Sequence, residues 1–200
     1  MNAYLPGLFA GFSLIIAIGA QNAFVIRQGL TKKHVLLVVA ICAAADTSLI
    51  FLGAAGLGQI IKSAPSLIEF VRWFGVSYLL WFAYKSFRSA FSNQSFEPGA
   101  SQSPSRTKVI TSVLAFTFIN PHVYLDTVIF LGSLANQFDS QKWIFAFGAS
   151  TASLIWFSAI GFGARSASKY MSKPIFWKIL DLSIAAVMVT IALYLAFFNF

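Results

Sequence analysis

Long apolar runs separated by short polar stretches dominate the chain. A helix crosses the hydrocarbon core of a bilayer with about 20 consecutive apolar residues. Six runs reach that length: from about Tyr4 to Ile26, Val35 to Ile61, Leu67 to Phe87, Val109 to Ala135, Trp143 to Gly163 and Phe176 to Phe198. A transmembrane barrel would show short alternating segments instead. A bilayer also offers no partner to bare backbone polar groups. The pattern therefore predicts an all-α integral membrane protein with six transmembrane helices. One long polar stretch, 89–108, interrupts it with Asn93, Gln94, Pro98, Gly99, Ser101, Ser103, Pro104 and Ser105. Its composition is that of a linker.

This linker divides the chain into a three-helix unit over 1–88 and another over 109–200. With an odd number of spans in each, homologous halves would have to be inverted. Both halves open on a helix disturbed at one point. The first run carries Gly19-Ala20-Gln21-Asn22-Ala23-Phe24, and the fourth carries Phe118-Ile119-Asn120-Pro121-His122-Val123. Inverted repeats with broken helices are a transporter design, with the binding site near the midplane.

Composition excludes most soluble readings. Hydrophobic residues make up 58% of the 200 and charged residues 10%, with Phe at 22 positions. A soluble domain is about 25% charged. The net charge of +8 would suggest nucleic acid in a soluble chain. Here it follows the rule that basic residues collect in cytoplasmic loops, and no nucleic-acid partner is expected. The loops after the first, third and fifth runs hold Arg27, Lys32, Lys33, Lys85, Arg88, Arg106, Lys108, Arg165, Lys169, Lys173 and Lys178; the other side holds Lys62, Arg72 and Lys142. This places both termini outside. A weakly inserted first helix would instead leave five spans with the N-terminus inside. No Lys or Arg precedes Arg27, so the basic start of a cleaved signal peptide is missing. One cysteine, Cys42, excludes paired-thiol redox chemistry.

Asp46 and Asp126 carry the most information. A carboxylate at the centre of a membrane helix costs about 2.5–3.5 kcal/mol on the insertion scale, and such groups mark ion or substrate paths. The bland alternative is a structural pair, for instance Asp46 with Arg72. His122 lies one helical turn before Asp126, on the same face. Asn120-Pro121 removes a backbone donor and leaves a carbonyl in need of a partner. Gln21 and Asn22 offer amide groups in the first run. Gly7-x-x-x-Gly11 and the Gly53, Gly56, Gly58 series suit close helix packing, and the first could pair two copies into a homodimer. Two His and one Cys do not make a metal site. No nucleotide loop or hydrolase motif is present, so no cofactor is expected.

Gly19-Ala20-Gln21-Asn22-Ala23-Phe24-Val25 with Arg27-Gln28-Gly29 resembles the first-helix motif of the LysE-type basic amino-acid exporters. Asn120-Pro121-His122-Val123-Tyr124-Leu125-Asp126-Thr127, followed by Leu131-Gly132-Ser133, resembles their fourth-helix motif. Asp46-Thr47-Ser48 falls where the family has a second-helix aspartate, and Leu79-Leu80-Trp81 matches a third-helix pattern. The resemblance spans almost the whole chain. It implies export of arginine or lysine from the bacterial cytoplasm across the inner membrane, by a secondary mechanism rather than an enzyme's chemistry. It also adds Tyr124 to the expected substrate-binding or proton-coupling set of Asp46, Asp126, Asn22, Gln21, Asn120, Pro121 and His122.

The residues agree with that reading. A guanidinium pairs bidentately with a carboxylate, and Gln21, Asn22 and Asn120 can meet an α-carboxylate. Moving a cation out of a negative interior costs about 2.3 kcal/mol per charge per 100 mV. Proton exchange at the carboxylate would offset this, because that group can hold a proton or a guanidinium but not both. Three other classes compete: an exporter of neutral amino acids or another metabolite, whose aspartates serve only the proton; an aspartyl intramembrane protease, which would show Gly-x-Gly-Asp where this chain has Ala43-Ala44-Ala45-Asp46; and a thiol-redox carrier, which needs a second cysteine.

Overall fold

The structure, a computed structural model, describes residues 3–16, 20–57, 65–91, 105–167 and 174–197, apart from a few side chains within them. Every regular element among the described residues is helical. In order they are α1 (Tyr4–Ile15), α2 (Ala20–Leu30), α3 (Val35–Ala54), α4 (Pro65–Phe91), α5 (Arg106–Phe118), α6 (Pro121–Tyr124), a π-helical stretch (Leu125–Leu131), α7 (Gly132–Ala135), a 3-10 stretch (Asn136–Gln141), α8 (Lys142–Ala167) and α9 (Pro174–Phe197). Gly19, Gly58, Lys62, Lys169, Lys173 and residues 92–104 of the linker lie outside the described residues, as do the side chains of Arg72 and Pro121. The hypothesised Asp46–Arg72 pair therefore lies outside the described residues.

The helix ends follow local chemistry. α3 stops at Ala54, short of the expected Ile61, where Gly56 adopts φ +107°. Only glycine takes that conformation without strain, and it commonly follows a helix C-terminus. Its 20 residues at mean hydropathy 2.5 are by themselves long and apolar enough to cross a bilayer. α5 begins at Ser105, whose hydroxyl accepts the Lys108 amide at 3.3 Å.

Two of the six apolar runs hold more than one helix among the described residues. The first holds α1 and α2, with residues 17–19 between them outside the described residues. The fourth stops at Phe118 and restarts at Pro121. There Asn120 Oδ1 accepts the His122 amide at 3.1 Å, the bond of an N-cap, and Pro121 takes the first helical position, where its missing N–H is harmless. Pro121 thus starts a new helix instead of kinking a continuous one. Each break leaves a carbonyl needing a donor. Asn22 Nδ2 donates to Ile15 O at 3.1 Å in the first, and Tyr124 Oη donates to Phe118 O at 2.9 Å in the fourth.

Apolar side chains cover the outside of the bundle as well as its core. Phe9, Leu36, Phe70, Trp73, Trp81 and Phe147 are exposed, while Gln21, Asn22, Asp46, Asn120, Ser153 and Asp181 are buried among apolar neighbours. Large exposed apolar groups with the few polar groups turned inward suit a lipid environment.

α3 packs on α8, and α4 on α9. α1 and α2 lie along α8, while α5, the π-helical stretch and α7 lie along α3. Exchanging the first three apolar runs for the last three leaves the α3–α8 and α4–α9 pairings in place and maps the other two onto one another. Glycine makes the closest crossings. A Cβ on Gly7 would strike the Phe145 carbonyl, and one on Gly11 would lie 2.9 Å from Ala149. Gly7 and Gly11 are therefore used within the chain against α8, which leaves this face unavailable to a second copy. Likewise, Cβ atoms on Gly53 and Gly132 would lie 2.7 Å from the backbones of Val128 and Gly53, so α3 meets the π-helical stretch and α7 with no side chain between them.

Candidate functional site

The two breaks meet around one partly open cavity. α2 brings Gln21 and Asn22 to it, α3 brings Asp46, the second break brings Asn120 and His122, and the π-helical stretch brings Asp126 and Thr127. Leu14, Ile15, Val123 and Phe157 complete the wall. The cavity holds about 50 Å³. A water needs roughly 10–15 Å³ on this measure, so several waters fit.

Asp46 is 3% exposed, and its Oδ2 accepts the hydroxyl of Ser153, on α8, at 2.8 Å. That hydroxyl is unusual in this chain. Thr117, Ser150, Thr151 and Thr190 all donate to the carbonyl four residues back on their own helices, the usual refuge of a hydroxyl in an apolar helix. Gln21 lies beside Asp46, with its amide nitrogen buried and turned to the carboxylate without the full alignment of a hydrogen bond. His122 Nδ1 lies 3.4 Å from Asp126 Oδ1, without the alignment of a hydrogen bond. Among the described residues neither Asp46 nor Asp126 has a Lys or Arg partner. The cavity thus brings together two carboxylates with no Lys or Arg partner among the described residues, a buried amide beside one of them and a histidine.

Six of the eight expected site residues line this space: Gln21, Asn22, Asp46, Asn120, His122 and Asp126. Asn22 is also engaged in the wall itself, since its Oδ1 accepts Trp156 Nε1 at 3.4 Å. Pro121 contributes the helix start. Tyr124 does not line the cavity, and its hydroxyl is spent on the carbonyl at the break. Sequence reasoning missed two residues. Ser153 gave no signal, because nothing in a helix pattern distinguishes it from its neighbours. Asp181, buried on α9, stands inside the sixth apolar run and answers to the same rule that singled out Asp46. Among the described residues no cluster of three His, Cys, Asp or Glu could hold a metal ion.

An apolar-surfaced helical bundle around a cavity that holds two carboxylates among apolar walls, at the ends of interrupted helices, is the arrangement of a membrane transporter. The chain belongs to the LysE type translocator family, which its residues 12–198 match. It is 34% identical to the lysine exporter LysE of Corynebacterium diphtheriae, over 94% of this chain and 96% of that one. It is 38% identical to the arginine exporter protein ArgO of Pectobacterium carotovorum, over 96% of each chain. A Mycobacterium bovis protein provisionally named an amino-acid transporter is also 38% identical, over 90% of each. No solved structure matches the chain. Family and relatives make this an integral membrane transporter and not an enzyme.

Proposed function

We propose that the protein exports basic L-amino acids, arginine or lysine, from the cytoplasm across the bacterial inner membrane, in exchange for protons. The observation that carries this reading is the convergence of Asp46 and Asp126 on one cavity with no cation beside either among the described residues. A cationic side chain supplies the missing charge, and a guanidinium or ammonium bound to a desolvated carboxylate gains a strong charge-assisted bond. The amides of Gln21, Asn22 and Asn120 can supply donors to the substrate's α-carboxylate, Asn22 by giving up its bond to Ile15 O. Protonating a carboxylate removes its hold on the cation, so proton and substrate exclude one another at the same group. The names of the lysine- and arginine-exporting relatives support the substrate class.

The same proposal reads the fold as six spans in two inverted three-helix repeats, residues 1–88 and 109–200 joined by a cytoplasmic linker. The pairwise exchange of helix contacts supports it. So do the breaks at corresponding places and the concentration of Lys and Arg in the odd-numbered loops. Movement of the helices around this site opens the small cavity to each side in turn.

The test uses purified protein in liposomes loaded with labelled arginine or lysine under an imposed pH gradient. Efflux stimulated by an acid exterior, and lost in Asp126→Asn, is the expected result. Arginine and lysine retained while a neutral amino acid leaves would overturn the basic substrate class and confine the aspartates to proton handling.

A further inference from the structure

A third buried carboxylate lies away from the cavity. Asp181 of α9 pairs with Arg27, near the C-terminal end of α2. Its other oxygen accepts the hydroxyl of Ser89, on α4, at 2.7 Å. The Arg27 guanidinium lies over the Trp177 ring, 5.7 Å from its centre. This cluster lies at the end of the bundle where Lys32, Lys33, Lys85, Arg88 and Arg165 collect, which the proposed topology makes cytoplasmic. Along α2 it is about 8 Å from the Gln21–Asn22 turn in the cavity, at 1.5 Å per residue.

We propose that Asp181, Ser89 and Trp177 form a guanidinium-recognition site at the cytoplasmic mouth, that Arg27 fills it here as a stand-in for substrate, and that the guanidinium of incoming arginine displaces Arg27. This inference rests on the reading that the chain exports basic amino acids. Three observations carry it. The chemistry is complete: a carboxylate steered by a hydroxyl, with an aromatic face beside it, matches a planar guanidinium better than a compact ammonium. The occupant can leave, because the Arg27 side chain is 40% exposed whereas that of Asp181 is 5% exposed. The occupancy is also imperfect. Arg27 reaches Asp181 through Nη2, while its Nε is buried with no acceptor among the described residues. A free arginine, unconstrained by α2, can present two parallel N–H groups to the carboxylate. Releasing Arg27 also frees the end of the helix that brings Gln21 and Asn22 to the cavity. Arrival of substrate is thereby coupled to opening of the wall.

Inverted membrane vesicles containing the full chain present the cytoplasmic face outward, so labelled arginine uptake reports on this site. An exchange site makes the two partners behave oppositely. Arg27→Ala removes the competitor and lowers the KM for arginine, whereas Asp181→Asn raises it, each by about tenfold, the scale of one charge-assisted hydrogen bond. The lysine KM moves less in both. A brace that merely ties α2 to α9 would shift both variants in the same direction, and that result overturns the proposal. No uptake of arginine or lysine by the unmodified protein would instead defeat the underlying transport reading. Should Asp181→Asn not insert, Ser89→Ala loosens the carboxylate without removing it and raises the arginine KM about threefold. In Arg27→Cys the new thiol reacts with a maleimide, since Cys42 is buried. Arginine slows that reaction while its uncharged analogue citrulline does not; labelling indifferent to arginine sinks the exchange.

Discussion

The bundle buries aspartates in two places and treats them differently. In the cavity, Asp46 receives one hydroxyl and Asp126 faces a histidine without hydrogen-bond alignment. On α9, Asp181 has an arginine, a hydroxyl and a neighbouring indole. Burying a charge is costly unless it is paired, and the α9 site meets that condition from within the chain. The cavity site does not meet it among the described residues. On the proposed reading, a buried acid kept without a built-in cation is a place prepared for one that comes and goes, whereas Asp181 keeps a resident cation that substrate has to displace.

Experiments can break or sharpen this contrast. The largest effect belongs to the cavity: Asp46→Asn and Asp126→Asn should each cut arginine efflux from liposomes at least about a hundredfold, the scale of losing a desolvated charge partner. Normal efflux by both would abolish the distinction. Next is the crossing that holds the two acids in register. Gly132→Leu forces a side chain into the Gly53 backbone and should cost about 1–3 kcal/mol, read as a lower thermal midpoint in detergent. Gly163→Ala, with nothing within 4 Å, should leave that midpoint unchanged. Ser153→Ala strips Asp46 of its hydroxyl and should slow efflux about tenfold in a folded protein. The smallest effect is expected of Tyr124→Phe. Efflux should stay within about twofold of the unmodified protein, because this hydroxyl serves the Phe118 carbonyl and one neutral hydrogen bond contributes only about 1 kcal/mol. A loss as deep as that of Asp126→Asn would place Tyr124 among the substrate contacts after all.

Much of this was legible in the chain because hydropathy is a one-dimensional signal. A carboxylate, an amide pair or Asn-Pro within an apolar run stands out wherever the run folds, so Asp46, Gln21, Asn22 and Asn120 could be named in advance. Their meeting in one cavity is a tertiary fact. So is the choice of Ser153, out of many helical hydroxyls, as the donor to Asp46. The break at Asn120-Pro121 could be anticipated as a disturbance. Its form, a capped restart followed by a π-helical stretch, depends on packing against α3 that no local pattern encodes. Tyr124 entered the site through its place in a motif, while its geometry assigns it to the backbone. Asp181 was visible by rule, but its partner Arg27 lies 154 residues away, beyond any periodicity.

The Gly53–Gly132 crossing has a mechanical consequence. It joins the helix that carries Asp46 to the segment that carries Asp126 by direct backbone contact, and packed backbone does not deform gradually. The two acids therefore travel as one block. Whatever opens the cavity must slide the opposite wall, α2 with Gln21 and Asn22 and α8 with Ser153, past a fixed pair of charges. Each stroke then parts Ser153 from Asp46, so the carboxylate loses its own hydroxyl at the moment it becomes reachable from outside the bundle.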